Sequence, residues 1–97
     1  MKPRRVKTAP GFDRALRQLT PELRDQTIDA VGNFIGRTAE HALQPERKKG
    51  LQGIWSFRVT TAVRVFYVQK KDEDGRYSEL FHVGPHDDYR IVARKRR

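Results

Sequence analysis

The chain has 97 residues, of which 36% are hydrophobic and 34% charged, and it has no cysteine. That length supports one small core and a single domain, expected over 1–97, and the missing cysteines exclude a disulfide framework, a thiolate metal site and a cysteine nucleophile. Lysine and arginine number 21 against 12 aspartates and glutamates, a net charge of +9, which favours polyanions, nucleic acid first, through steering and counterion release.

No apolar run approaches the about 20 residues needed to span a bilayer, and no segment sets a broad apolar face against a lysine-rich one. A membrane partner is therefore not expected. The basic N-terminal residues lead into no apolar run, so no secretory leader is expected and the cytoplasm is the expected compartment.

Arg4 to Ala9 places Val6 and Thr8 on alternate positions, which predicts an edge strand ending at the turn-forming pair Pro10-Gly11. Phe12, Ala15, Leu16 and Leu19 follow at helical spacing, giving a short amphipathic helix that stops at Thr20-Pro21. Thr20 is placed to cap a second helix, with Pro21 at its first position and Glu22 against the positive end of its dipole. The predicted apolar stripe of this helix is Leu23, Thr27, Ile28, Val31, Phe34 and Ile35, and Gly36 and Thr38 mark its end. The two helices are expected to form an antiparallel hairpin lying on one face of a sheet. Ala39 to Gly50, with Pro45 and the basic run Arg47, Lys48, Lys49, is predicted to be a loop. Its charges are either a solvated surface or contacts to phosphate.

Ile54 to Val59 and Val63 to Gln69 are rich in β-branched and aromatic residues, with Thr60, Thr61 and Ala62 between them as a tight loop. Alternation puts Trp55, Phe57 and Val59 on the face covering the helices, with Val63, Val65 and Tyr67 beside them. A three-residue loop pairs Val59 with Val63 and brings Arg58 opposite Arg64 on the other face. Like charges opposed across a strand pair are unfavourable, and a bound anion would relieve them. After the polar turn Asp72 to Gly75, Tyr77 to Val83 predicts a further strand with Ser78, Leu80 and His82 on one face and Phe81 and Val83 on the other. Gly84-Pro85 should break it, leaving His86, Asp87, Asp88 and Tyr89 just past a strand end. Ile91 to Ala93 predict one helical turn or a final strand, and Arg94 to Arg97 a basic terminus.

The strand, the two helices, the run Leu51-Gln52-Gly53-Ile54-Trp55-Ser56-Phe57-Arg58-Val59, the strand Arg64-Val65-Phe66-Tyr67 and the ending His82-Val83-Gly84 together resemble the RelE/ParE superfamily of bacterial type II toxins over nearly the whole chain. The resemblance implies an α+β fold, two helices packed on one face of a small curved antiparallel sheet in β-α-α-β-β-β order. It implies one of two activities: RelE-like cleavage of mRNA in the ribosomal A site without metal or cofactor, or ParE-like inhibition of DNA gyrase. It also implies an antitoxin partner. Carried over by position, Arg58 and Arg64 match basic strand residues, His86 falls where RelE-like members place an arginine, and Tyr89 approximates a C-terminal tyrosine. Ser56 stands where RelE has a lysine, and Asp87-Asp88 bring negative charge.

Cleavage by the 2′-hydroxyl needs a base, an acid for the departing 5′-oxygen and positive charge on the phosphorane. Histidine suits either proton role near neutrality. On this reading Arg58 and Arg64 clamp the phosphate, His86 leads as proton donor, and His82 or Tyr89 assists, while Arg47, Lys48, Lys49, Arg94 and Lys95 contact RNA. Structural roles compete for some of these residues: His82 as a strand residue satisfied by a neighbour, Tyr89 and Trp55 as core, His41 as a solvated loop residue. No recognised metal spacing joins His82, His86, Asp87 and Asp88. A plain nucleic-acid-binding module is the remaining alternative, and needs only the charge.

Overall fold

A computed structural model describes residues 2–48, 50, 53–88 and 92. The elements run β1 (Val6–Thr8), α1 (Pro10–Arg17), α2 (Pro21–Gly36), α3 (Glu40–Leu43), β2 (Glu46–Arg47), β3 (Ile54–Arg58), β4 (Val63–Asp72) and β5 (Gly75–Pro85). The five strands lie in the order β1-β5-β4-β3-β2.

The helix boundaries follow local chemistry. Thr20 Oγ1 accepts from the Leu23 amide at 3.2 Å, and Pro21 opens α2 without needing a partner for an N–H. At the other end Arg37 adopts the left-handed conformation, φ 57°, and its amide returns to Asn33 and Phe34. The orphan carbonyls there are met from β1's side of the chain: the Arg4 amide donates to Ile35 O at 2.7 Å and its guanidinium to Phe34 O at 2.9 Å. The same guanidinium pairs with Glu40 and lies 4.3 Å over the Phe34 ring. Its hydrogen bond holds the Glu40 carboxyl below its ordinary pKa.

Thr27, Ala30 and Phe34 form the buried stripe of α2. Ile28, predicted to share it, is 54% exposed, because a stripe through positions 27, 30 and 34 leaves position 28 about 100° round the helix from Thr27, on the outer side. Thr27 is tolerated in the core because its hydroxyl donates to Leu23 O at 2.7 Å. Phe34 then stacks on Phe57 at 4.4 Å between ring centroids and meets Tyr67 at 5.0 Å. Val63, Val65, Leu80 and Val83 complete this helix-side core, with Trp55 and Val59 packed against it. The predicted apolar face of β3 and β4 is therefore the observed one.

Three expectations change. The sheet is mixed, because β1 pairs in parallel with β5, Val6 opposite Ser78 and Thr8 opposite Leu80. Hairpin turns impose antiparallel pairing on β3, β4 and β5, whereas both helices separate β1 from its partner and no turn fixes its direction. The predicted loop at 39–50 contains the short helix α3, whose Leu43 is only 4% exposed, and the edge strand β2. Burial of Leu43 against the helix-side core supplies the order that the local sequence does not.

The third change is in β5. Phe66 pairs with His82 but Tyr67 with Leu80, so Phe81 is an extra residue, a β-bulge. Leu80 and Val83 consequently both face the helices, while Phe81 turns to the opposite side. That opposite face is not wholly open. Ile54, Phe66, Val68 and Phe81 form a second apolar cluster there, and the fully buried Val92 packs on it. The Val92 amide donates to Asp88 O at 3.0 Å.

Candidate functional site

The antiparallel register of β3 and β4 places Arg58 opposite Arg64, with Ser56 opposite Phe66. On β4's other side Arg64 lies opposite Gly84 and Phe66 opposite His82. The register thus gathers Arg58, Arg64, His82 and Gly84 at one end of the sheet, with Arg64 and His82 on the face that turns away from α1 and α2, while Arg58 also lines a cleft with Asp29 and Asn33 of α2. His86 belongs to the same end, because its amide donates to Ala62 O at 2.8 Å in the β3–β4 loop. Its side chain is exposed.

Arg64 is 7% exposed and built into its surroundings. Its Nε donates to Ser56 Oγ at 2.8 Å, and one terminal nitrogen donates to Gln44 O at 2.9 Å and to Ser56 O at 3.4 Å. Glu46 Oε1 stands 3.7 Å away. The opposed arginines are therefore relieved by protein oxygens, where the sequence suggested a bound anion. Ser56 is the acceptor that fixes Arg64's plane. Among the described residues the Arg58 side chain has no hydrogen bond or ion pair, so the two cations differ: one is locked, the other available.

His82 is 7% exposed, its ring stacked on Phe66 at 5.7 Å, and its Nε2 lies 2.9 Å from Asp88 Oδ2. Gly84 makes that approach possible. A Cβ at Gly84 would stand 2.7 Å from Asp88 Oδ2 and 2.9 Å from His82 Nε2, inside ordinary van der Waals distance. Asp88, which the sequence marks only as unwelcome negative charge, is the partner of a buried histidine, and its carbonyl also accepts the Val92 amide.

Arg47 pairs with Trp55 and its guanidinium lies 5.7 Å over the indole, on the helix side. Lys48, 8% exposed, sends its amide to Ile54 O at 2.8 Å. Tyr89, Lys49, Arg94 and Lys95 lie outside the described residues. Gln44 and Glu46 carry no signal in the sequence, since their roles depend on where α3 and β2 settle. Gly84 does carry one: a glycine inside a strand, two residues after a histidine, marks close approach of another group.

No family model matches the chain. No curated protein matches it by sequence either. Comparison of the fold is decisive where sequence is not. The toxin–antitoxin complex RelBE2 from Mycobacterium tuberculosis superposes with a TM-score of 0.66 at 19% identity, covering 91% of this chain and 97% of that one. YafQ from E. coli gives 0.65 at 9% identity, covering 89% and 97%. This chain has the RelE-like toxin fold. A YoeB/ParE toxin from Agrobacterium tumefaciens also shares it, with a TM-score of 0.59 at 18% identity over 84% and 98% of the two chains. Among the described residues of this chain the RelE-like fold is a five-strand mixed sheet with three helices, and one end of that sheet carries the arginine pair and the His82–Asp88 hydrogen bond.

Proposed function

We propose that the chain is the toxin of a toxin–antitoxin pair and a ribosome-dependent mRNA endoribonuclease. The observation that carries this reading is the convergence of Arg58, Arg64 and the His82–Asp88 pair at one end of the sheet. Its supports are the RelE-like fold and the net charge of +9.

In the proposed reaction the 2′-oxygen attacks the adjacent phosphorus, the bond to the 5′-oxygen breaks, and a 2′,3′-cyclic phosphate forms. One proton leaves the 2′-hydroxyl and one reaches the 5′-oxygen. Arg58, lacking a protein partner among the described residues, meets the phosphate directly, and Arg64 holds positive charge behind it in a fixed orientation. His86, exposed at the strand end, donates to the leaving oxygen. His82 assists from a position held by Asp88, and Tyr89 is the further proposed participant. Arg47, Lys48, Lys49, Arg94 and Lys95 are the proposed RNA contacts. The proposed antitoxin is a segment that folds over the basic surface.

The test is primer extension on a defined mRNA in translating ribosomes, with wild-type protein and His86→Ala. New 5′ ends within A-site codons that disappear in the variant are expected. His86 is exposed, so its substitution should leave the fold intact by circular dichroism. Growth arrest with uncut mRNA would overturn the nuclease reading in favour of gyrase inhibition, which a supercoiling assay reads directly.

A further inference from the structure

A second cationic surface lies on the other side of the sheet. Beyond the C-terminus of α2 a cleft of about 520 Å³ is walled by Trp55, Tyr77 and four arginines, Arg4, Arg5, Arg37 and Arg76. Gln69 and Ser78 form its floor, joined across β4 and β5 by a 3.2 Å hydrogen bond. Gln69 lies two residues beyond Tyr67 on β4, which sets the floor on the helix-side face and separates this cleft from the Arg58–Arg64 site.

The charges in the cleft are unequally matched. Arg4 faces Glu40, and Arg5 shares Asp72 with Lys7. Arg37 gives its Nε to Lys2 O at 2.8 Å and feels Glu40 only at a distance, and among the described residues neither Arg37 nor Arg76 forms a salt bridge. These two cations come from different rims, the C-terminus of α2 and the start of β5. Among the described residues, none of those lining the cleft is acidic.

Guanidinium forks suit phosphate oxygens, and a cationic groove with aromatic walls is the usual construction of a surface for single-stranded nucleic acid. A docked acidic helix or peptide would need apolar pockets for its anchors, and apart from the aromatic rings the wall offers only Pro3. We propose that this cleft binds the phosphodiester backbone of single-stranded nucleic acid, as a second site independent of the face assigned to cleavage. Arg37 and Arg76 pair with phosphates, and the aromatic walls exclude water from one side of the strand.

Trp55 is the chain's sole tryptophan and lines the cleft, so its emission responds to occupancy there, and the Arg37 and Arg76 variants below separate that response from one carried through Arg47, which lies over the same indole. The full chain is titrated with a fully 2′-O-methylated RNA oligomer, which lacks the attacking hydroxyl, and with single-stranded DNA of the same sequence. Failure of the nuclease reading cannot then mimic failure of this one. Saturable quenching is expected with RNA, DNA or both, and the comparison assigns the source. The Arg37→Asn/Arg76→Gln pair, with asparagine chosen to tolerate the left-handed backbone at 37, should weaken binding by about tenfold or more. It should also reduce the slope of log affinity against log salt by about 0.7 for each phosphate that is no longer neutralised. Arg76→Gln alone repeats the test at a position outside any helix cap. Undiminished binding and an unchanged salt slope in folded variants, no quenching at all, or equal quenching by polyglutamate would each overturn the proposal.

Discussion

Replacing Gly84 by alanine tests whether the His82–Asp88 hydrogen bond is a built feature of the fold. Gly84 does not occupy the left-handed region, so alanine brings no backbone strain there, and in a strand it should gain about 0.5–1 kcal/mol over glycine. Against that stands the new Cβ, 2.7 Å from Asp88 Oδ2 and 2.9 Å from His82 Nε2. The carboxylate must withdraw, and a hydrogen bond involving a charged group contributes about 1.5–3 kcal/mol. The balance is a net loss of about 1–2 kcal/mol. At about 4–8 °C per kcal/mol for a domain of this size, Tm should fall by roughly 5–15 °C. Urea unfolding should show a lower midpoint at unchanged m-value. Because the Asp88 carbonyl also accepts the Val92 amide, exchange of that amide should quicken beyond what the global loss explains. In an Asp88→Ala background the pair is already broken and the added cost of Gly84→Ala should shrink. A Gly84→Ala protein as stable as wild type, or more so, would refute the reasoning.

Phe34 is fully buried between Phe57, Tyr67 and the Arg4 guanidinium, so Phe34→Ala should cost about 3–5 kcal/mol by urea denaturation. The Asp72 carboxyl, bonded to Arg5 and Lys7, is held well below the usual carboxylate range. Its contribution is therefore present above the unfolded value of about 3.9 and lost as pH falls through the lower folded one. Wild type should exceed Asp72→Asn in stability at neutral pH, with the gap closing in strong acid; a gap independent of pH would contradict this. Burial pushes the Tyr67 phenol up to about 12. The folded state then holds its proton after the unfolded state, at about 10, begins to release one, so stability should fall as pH rises through that interval. Absorbance titration should show one tyrosine ionising only above it or on unfolding.

The elements legible in the sequence are those whose causes are local. Thr20-Pro21 marks the start of α2 because cap, proline and first-turn acid act within one turn. The opposition of Arg58 and Arg64 follows from a three-residue loop and period-two alternation, and the observed register matches it. The helix-side face of β3 and β4 was legible for the same reason. Alternation failed at Phe81. A bulge inserts one residue without changing composition, and it is selected by packing on both sides of the sheet: Leu80 and Val83 are needed against the helices, Phe81 and Val92 against the second cluster.

The sequence by itself determined a small, basic, cysteine-free chain with two helices of marked boundaries and a hairpin that opposes two arginines. Those properties depend on charge count and on neighbours a few residues apart. Only the tertiary structure decided that β1 runs parallel to β5, that Gln44, Ser56 and Glu46 meet Arg64, and that Asp88 reaches His82 across Gly84. It also decided that Arg4, Arg5, Arg37 and Arg76 line one cleft with Trp55 and Tyr77. Each of these joins residues through long-range packing, where no local spacing rule constrains the partner.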